Sequence, residues 1–380
     1  MPNMSIKPFG LFPAIAMIVL SVGLANHVLI VPLLLSEAMR DAWMSVFVAV
    51  AVVIPWALIP LYGLMKKLKH KPFDRWLFER MPPFFGWLVL GYFLMLLYLI
   101  ASETLIVTSS WTGTTYLPET PTFVVSCVLL GICVYAACSG LRTIAFVGCI
   151  LVPFVVLLGD FVMSANMPHK EYGYLLPMLE YGFPPVLRGA LLCLTSFGEL
   201  FTLLLFQHHL HKQKSFNRWH LLLLILFLAL LAIGPITGAI SEFGPIEAEK
   251  MRYPAFSQWR LVSIGKYFEH VDFFAIFQWL SGALVRLSFT MYLIIEYSPI
   301  SRMKRKWIGI SILTLLLALT AYYWIQNMIT YRLILTWGFR VSGIVTMSII
   351  VILYAISFLK KRRVTSEQHH RSGEPEDKPV

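Results

Sequence analysis

Charged side chains are scarce in this sequence: they make up 13% of its 380 residues, against 58% hydrophobic, with a mean hydropathy of +0.73. Soluble domains carry about 25% charged residues, so the composition excludes a water-soluble globular protein and points to an integral membrane protein. Cysteine is also sparse. Cys127, Cys133, Cys138, Cys149 and Cys193 all sit in apolar runs without the paired spacings of zinc or iron–sulfur ligation, so buried, reduced, structural thiols are expected. No GxxxxGK[ST] loop, HExxH pair or GxSxG elbow occurs, which removes the usual enzyme signatures; no cofactor and no metal are expected. The opening MPNMSIKPFG has one lysine before the first apolar run and no small-residue cleavage site after a short apolar core, so no cleaved signal peptide is expected.

What is present is a series of apolar windows long enough to cross a bilayer core of about 30 Å as helices of about 20 residues. They lie near 9–35, 42–65, 84–112, 121–139, 141–163, 187–207, 219–243, 270–296, 307–327 and 338–359, predicting an all-α membrane protein of about ten helices. Every second loop is basic. Lys66, Lys67, Lys69, Lys71, Arg75 and Arg80 follow the second span, and Lys212, Lys214 and Arg218 follow the sixth. Arg302, Lys304, Arg305 and Lys306 follow the eighth, and Lys360, Lys361, Arg362 and Arg363 the tenth, whereas the loop after the third has no Lys or Arg. By the positive-inside rule these loops and both termini are cytoplasmic. The net charge of +11 is then topogenic and lies against the anionic inner leaflet, so no nucleic-acid partner is implied. One membrane domain over 1–363 is expected. The tail 364–380, VTSEQHHRSGEPEDKPV, is polar and aperiodic and reads as disordered.

Charges inside the spans stand out because hydrocarbon penalises them. In LTSFGELFTLLLF, residues 194–206, Glu199 lies ten residues past Gly189, roughly 15 Å along a helix and near the midplane. Glu103 and Arg286 are deeper than the helix ends but less central. Asp160, Glu242 and Glu296 fall close to helix ends, where snorkelling or interfacial water accommodates them. His208, His209 and His211 have partial metal-like spacing but lie in a basic loop, which favours solvated or headgroup-facing side chains. Trp87, Trp111, Tyr116, Trp307 and Trp324 read as interfacial anchors. The segment 254–270 reads as a short amphipathic outer helix, either a lid or a docking surface.

Gly198, directly before Glu199, is a permissive point for breaking a helix. The first span has its own soft point in SVGLANHVLIVP, residues 21–32, where Gly23, Asn26 and His27 interrupt the apolar run and Pro32 follows. Interrupted helices thus open both halves of a five-plus-five layout, about 9–163 and 187–359, and an odd number of crossings inverts the second half. That is the pattern of an inverted-repeat transporter with its site where the repeats meet.

These features carry a resemblance. YGYLLPMLEYGFPPVLRGALLCLTSFGELF, residues 172–201, and RYPAFSQWRLVSIGKYFEHVDFFAIFQW, residues 252–279, resemble the spore germination permease family, the B subunits of nutrient germinant receptors of bacterial endospores. That family lies within the amino acid–polyamine–organocation superfamily. The resemblance implies an inverted-repeat fold with the first and sixth helices unwound around an amino-acid pocket. It also implies residence in the spore inner membrane with two partners, a larger A subunit and a C-subunit lipoprotein.

A zwitterionic ligand needs partners for both charges in a low-dielectric site. The candidate pocket is Gly23, Leu24, Ala25 and Asn26, whose N–H groups can take the carboxylate, with Ser196, Phe197, Gly198, Glu199 and Glu103. Glu199 can hold the ammonium or carry a proton. Related proton-coupled carriers place a lysine in the fifth helix in place of a sodium ion; LRTIAFVGCILVPFVVLLGDFVM lacks one after its first turn. Arg286 either fills that space as an internal cation, pairs structurally with Glu103, or lines an aqueous cavity. Three functions follow: a nutrient-binding receptor subunit, a working amino-acid permease, or a structural scaffold of the receptor.

Overall fold

A computed structural model describes residues 8–211, 215–263 and 271–359; the expected tail lies outside them. Among the described residues the regular structure is helical, and the one β feature is an isolated parallel bridge between Phe9 and Leu210. The first apolar run contains α1 (Leu11–Leu24), α2 (Val31–Ala38), α3 (Ala42–Trp56) and α4 (Tyr62–Leu68). A short α5 (Phe73–Arg80) precedes α6 (Pro83–Thr115), α7 (Thr122–Cys138) and α8 (Leu141–Ala165). The second half holds α9 (Phe183–Gly198), α10 (Thr202–Phe206), α11 (Arg218–Phe243), α12 (Pro245–Ala248), α13 (Pro254–Leu261), α14 (Phe273–Tyr297), α15 (Lys306–Gln326) and α16 (Met328–Ile356).

Eight helical runs are long and apolar enough to cross a membrane, and the apolar α7 adds a run of 17 residues. The first run, Leu11–Leu68, has 58 residues and would span about 87 Å if straight, nearly three bilayer cores. It is divided at Met39, whose φ of 48° and ψ of −122° leave the helical region. The protein is therefore all-α and multi-pass. Ten crossings remain the expectation from sequence, which these runs accommodate without fixing the number.

Two of the local irregularities coincide with prolines. Pro32 and Pro60 have no N–H to donate; a π turn over Ala25–Leu29 stands just before Pro32, and one over Ala57–Leu61 contains Pro60. Asn217 and His220 form a reciprocal cap at the start of α11. Gly140, at φ 96°, makes the α7–α8 corner that an L side chain would strain.

The enclosed core is the sixth span: 89% of the most apolar 18-residue stretch of Phe183–His209 is buried, against 17% of the corresponding stretch of Leu141–His169. α9 packs on α16, α3 and α2, while α14 contacts α6, α1, α7 and α8. At Gly343 of α16 an added Cβ would lie 2.5 Å from the backbone nitrogen of Thr195, so the two helices cross with no room for a side chain. The surfaces of α7, α15 and α16 carry exposed apolar side chains such as Val128, Leu315 and Ile329, as a lipid-facing surface requires.

Both expected helix interruptions exist in a milder form than unwinding. In the first span the break is the π turn. In the sixth, Gly198 keeps helical dihedrals (φ −57°, ψ −26°), and the chain tightens into a 3-10 turn at Glu199–Phe201 before resuming as α10. A Cβ on Gly198 would make only ordinary contacts near 3.8 Å, so the local structure does not use that glycine's freedom.

Candidate functional site

The buried centre is organised by Arg286 of α14, which has no solvent exposure. Its Nη2 donates to Glu199 Oε1 at 2.7 Å, and its Nη1 donates to Glu199 Oε2, making a bidentate pair. Its Nε donates to Thr104 Oγ1 at 2.9 Å, and its Nη1 also donates to the Ser21 carbonyl at 2.9 Å. Glu103 Oε2 lies 3.5 Å from Nη2, within ion-pair range. One side chain thus ties α1, α6, the Glu199 turn and α14 together.

A tightening of the backbone just before the π turn makes this possible. In a regular helix the Ser21 carbonyl would accept from the Ala25 N–H; here that N–H goes to Val22 instead, and Ser21 is left for the guanidinium. The expected free N–H at Ala25 is accordingly engaged, and what the irregularity exposes is an acceptor that suits a cation.

Beside this cluster, the Ser196 hydroxyl stands 2.6 Å from Asn26 Oδ1 and 3.0 Å from the Cys193 carbonyl. The Asn26 Nδ2 is buried without a hydrogen-bond partner. Phe197 is fully buried in the core. Asn26 of the first span thus pairs with Ser196 of α9, while Glu199 and Glu103 share Arg286.

The open space lies on the other side of α1. A cavity of about 470 Å³ is walled by α1, α8, α11, α13 and α14. Of the candidate residues Gly23 and Leu24 line it; Ala25, Asn26, Glu103, Ser196, Phe197, Gly198, Glu199 and Arg286 do not. Its polar groups are His27, Asp160, Thr237 and Gln278. His27 Nδ1 is 3.0 Å from the Leu231 carbonyl, and Gln278 donates to Val155 O and accepts from Trp259 Nε1, both at 3.2 Å. Asp160, the one carboxylate among the described lining residues, is exposed, and its side chain makes no hydrogen bond to another described residue. α13 closes one side with Phe256 and Trp259, which places the described part of 254–270 over the cavity.

Several peripheral expectations need correction. His208 and His209 are not solvated: their side chains are 4% and 6% exposed, and both Nε2 atoms contact Glu296 Oε1. Glu242 does not snorkel; it is enclosed with Lys170 Nζ at 3.6 Å. Trp111 is fully buried, stacked on Trp279 with centroids 4.1 Å apart, and Tyr116 packs on it edge-on, whereas Trp87 and Trp307 are exposed as anchors should be. Cys127 and Cys138 are exposed on α7, and only Cys133 and Cys193 are buried; all five thiols are free. Sequence reading missed Asp160 and Gln278 as cavity residues. Asp160 is exposed, as a charge near a helix end is expected to be, and only the packing of five helices reveals the void beside it.

Comparison with known proteins agrees with this architecture. A family model described as spore germination protein matches residues 5–329. Spore germination protein XB of Bacillus anthracis is 36% identical over 313 residues, covering 80% of this chain and 87% of the relative. Putative spore germination protein YfkT of Bacillus subtilis (strain 168) is 27% identical over 283 residues, 74% of this chain and 75% of the relative. With its long apolar helices and a match across most of its length, the chain belongs to the spore germination protein family of multi-pass membrane permease-like proteins.

Proposed function

We propose that this chain is the membrane-embedded subunit of a nutrient germinant receptor in the spore inner membrane. It binds a small nutrient, an amino acid, in the 470 Å³ cavity and passes occupancy to a larger A subunit and a C-subunit lipoprotein, which triggers germination. The family is one of germination proteins rather than enzymes, and both relatives are named for spore germination. The alternation of basic loops supports cytoplasmic termini, and the five-plus-five layout supports an inverted repeat.

The observation that carries this reading is a cavity set against the irregular part of α1. It has mostly apolar walls, one unengaged carboxylate for an ammonium at Asp160, and an aromatic cover from α13. Ligand sites are commonly concave and apolar with a few convergent polar groups. Gly23 and Leu24 contact the ligand, while Glu103, Asn26, Ser196, Phe197, Gly198, Glu199 and Arg286 form the core behind it that senses α1.

Arg286 favours a receptor over a proton-coupled carrier. Both Glu199 oxygens are held by a guanidinium that does not deprotonate in proteins, so Glu199 is not free to shuttle a proton or to hold an ammonium. A ligand that prefers one position of α1 shifts a two-state equilibrium without needing flux.

The test is Gly234→Leu. Gly234 lines the cavity, and its Cβ position is open, with Met163 Cε 4.0 Å away, so leucine fills the void without displacing backbone. Spores carrying this change, with subunit levels checked by immunoblot, are expected to lose the germination response to an amino-acid panel. A normal response at normal levels refutes the cavity as the nutrient site.

A further inference from the structure

At the end of the bundle that carries the basic loops, a second cluster stands apart from the proposed cavity. α10 stops at Phe206, and the 3-10 turn Gln207–His209 swings two consecutive imidazoles to one side, their ring centroids 4.1 Å apart. The turn is pinned from outside, because Phe9 N–H donates to the His209 carbonyl and His211 N–H donates to the Phe9 carbonyl, both at 3.1 Å. Opposite, near the end of α14, Glu296 presents Oε1 to His208 Nε2 at 3.1 Å and to His209 Nε2 at 2.8 Å. The three potential donor atoms lie within 4.8 Å of one another.

We propose that His208, His209 and Glu296 form a binding site for a divalent transition-metal ion of the zinc class, which staples the ends of α10 and α14 together. Zinc sits about 2.0–2.1 Å from imidazole nitrogen and about 2.0–2.2 Å from carboxylate oxygen. Two such ligands at angles of roughly 90–110° stand about 2.9–3.4 Å apart, so both histidine–glutamate separations admit an ion with shifts of a few tenths of an ångström, and the imidazole nitrogens lie within 4.8 Å of each other. Two imidazoles and one carboxylate suit zinc and its neighbours, whereas magnesium and calcium take oxygen ligands. Three protein ligands leave a fourth position for water.

Hydrogen bonding alone leaves the cluster incomplete. Glu296 Oε2 and His208 Nδ1 are both buried without a hydrogen-bond partner, although the His208 side chain is only 4% exposed. An ion approached by Oε1 can also draw on Oε2, which gives that oxygen a partner. Its place in the fold gives the site a role. Glu296 lies 18 residues beyond Gln278 on α14, about 27 Å along the helix from the cavity, so a bound ion holds the far end closed while the cavity end stays free to respond.

The experiment uses the full chain purified with a non-histidine tag, with His369→Gln and His370→Gln in every sample so that the tail pair contributes nothing. After chelator stripping and reloading with Zn²⁺, desalted protein is expected to retain about one equivalent, and Co²⁺ is expected to give the visible bands of a four-coordinate site. His209→Gln keeps a side chain able to hydrogen-bond Glu296, so it removes a ligand without emptying the cluster; it and His208→Gln are expected to lower affinity at least about tenfold. His211→Gln is expected to leave binding unchanged. Failure of the parent to retain either ion, or equal retention by the His208 and His209 variants, overturns the assignment and leaves a plain hydrogen-bonded contact.

Discussion

The cluster around Arg286 gives the sharpest energetic prediction. Replacing it with methionine keeps the approximate length but removes the charge, leaving Glu199 and Glu103 in a site with almost no solvent access. Breaking a buried pair by deleting one partner costs about 3–5 kcal/mol, because the other charge stays behind. The Ser21 carbonyl and Thr104 hydroxyl also lose their donor, and an unsatisfied buried group costs about 1–3 kcal/mol. These costs overlap, since Glu199 can take up a proton and the turn can relax, so the net loss for Arg286→Met is expected at about 3–5 kcal/mol.

The informative comparison is with the companion changes. Arg286→Met with Glu199→Gln removes the stranded carboxylate as well as the cation, so the double variant is expected to be more stable than Arg286→Met alone. The two changes are coupled by at least about 1 kcal/mol in the direction of rescue. The assay is detergent-solubilised thermal stability of the full chain, read by the loss of the monodisperse gel-filtration peak after heating. A wild-type midpoint for Arg286→Met would refute the reasoning, and so would additive losses in the double variant. Either would mean that water or another group satisfies the two carboxylates.

Lys170→Met is expected to cost about 3–5 kcal/mol by leaving Glu242 enclosed and unpaired, and Lys170→Met with Glu242→Leu should recover much of it in the same assay. Gly343→Ala pushes α16 off the Thr195 backbone and should destabilise by about 1–3 kcal/mol; a neutral midpoint would show that the crossing can relax. Asp160→Asn in spores should raise the concentration of an amino-acid germinant needed for half-maximal response by about 10–100-fold, the loss of one charged hydrogen bond. An unshifted dose response would remove Asp160 from the ligand site.

The class of the protein and the placement of its apolar runs were legible because hydropathy is a local property: a window of leucines and valines reports its surroundings without knowledge of its neighbours. The irregular points were legible for a similar reason. Pro32 removes a donor wherever the helix lies, and the sequence marks the soft stretch around Gly23, Asn26 and His27. The form of each irregularity was not legible. Whether a chain short of one hydrogen bond unwinds or re-pairs as a π turn depends on what stands opposite, and here that is a guanidinium from a helix more than two hundred residues away.

The same distinction explains the histidines and the carboxylates. His208 and His209 sit near Lys212 and Lys214 and read as solvated by their sequence neighbours, yet Glu296 and the Phe9 bridge enclose them. Glu199 and Arg286, each expensive in hydrocarbon, were visible as singular residues but not as partners. A buried charge declares only that a compensating group exists, and pairing is a fact of the packed bundle. That places the decisive question for this family member on α1. With Ser21 holding Arg286 on one face and Gly23, Leu24 and His27 bordering the cavity on the other, any ligand that displaces this segment must also work against the Glu199–Arg286 pair. Under the proposed function, occupancy of the cavity is coupled to the integrity of the buried cluster, and that coupling is what a receptor needs to report its ligand to a partner subunit.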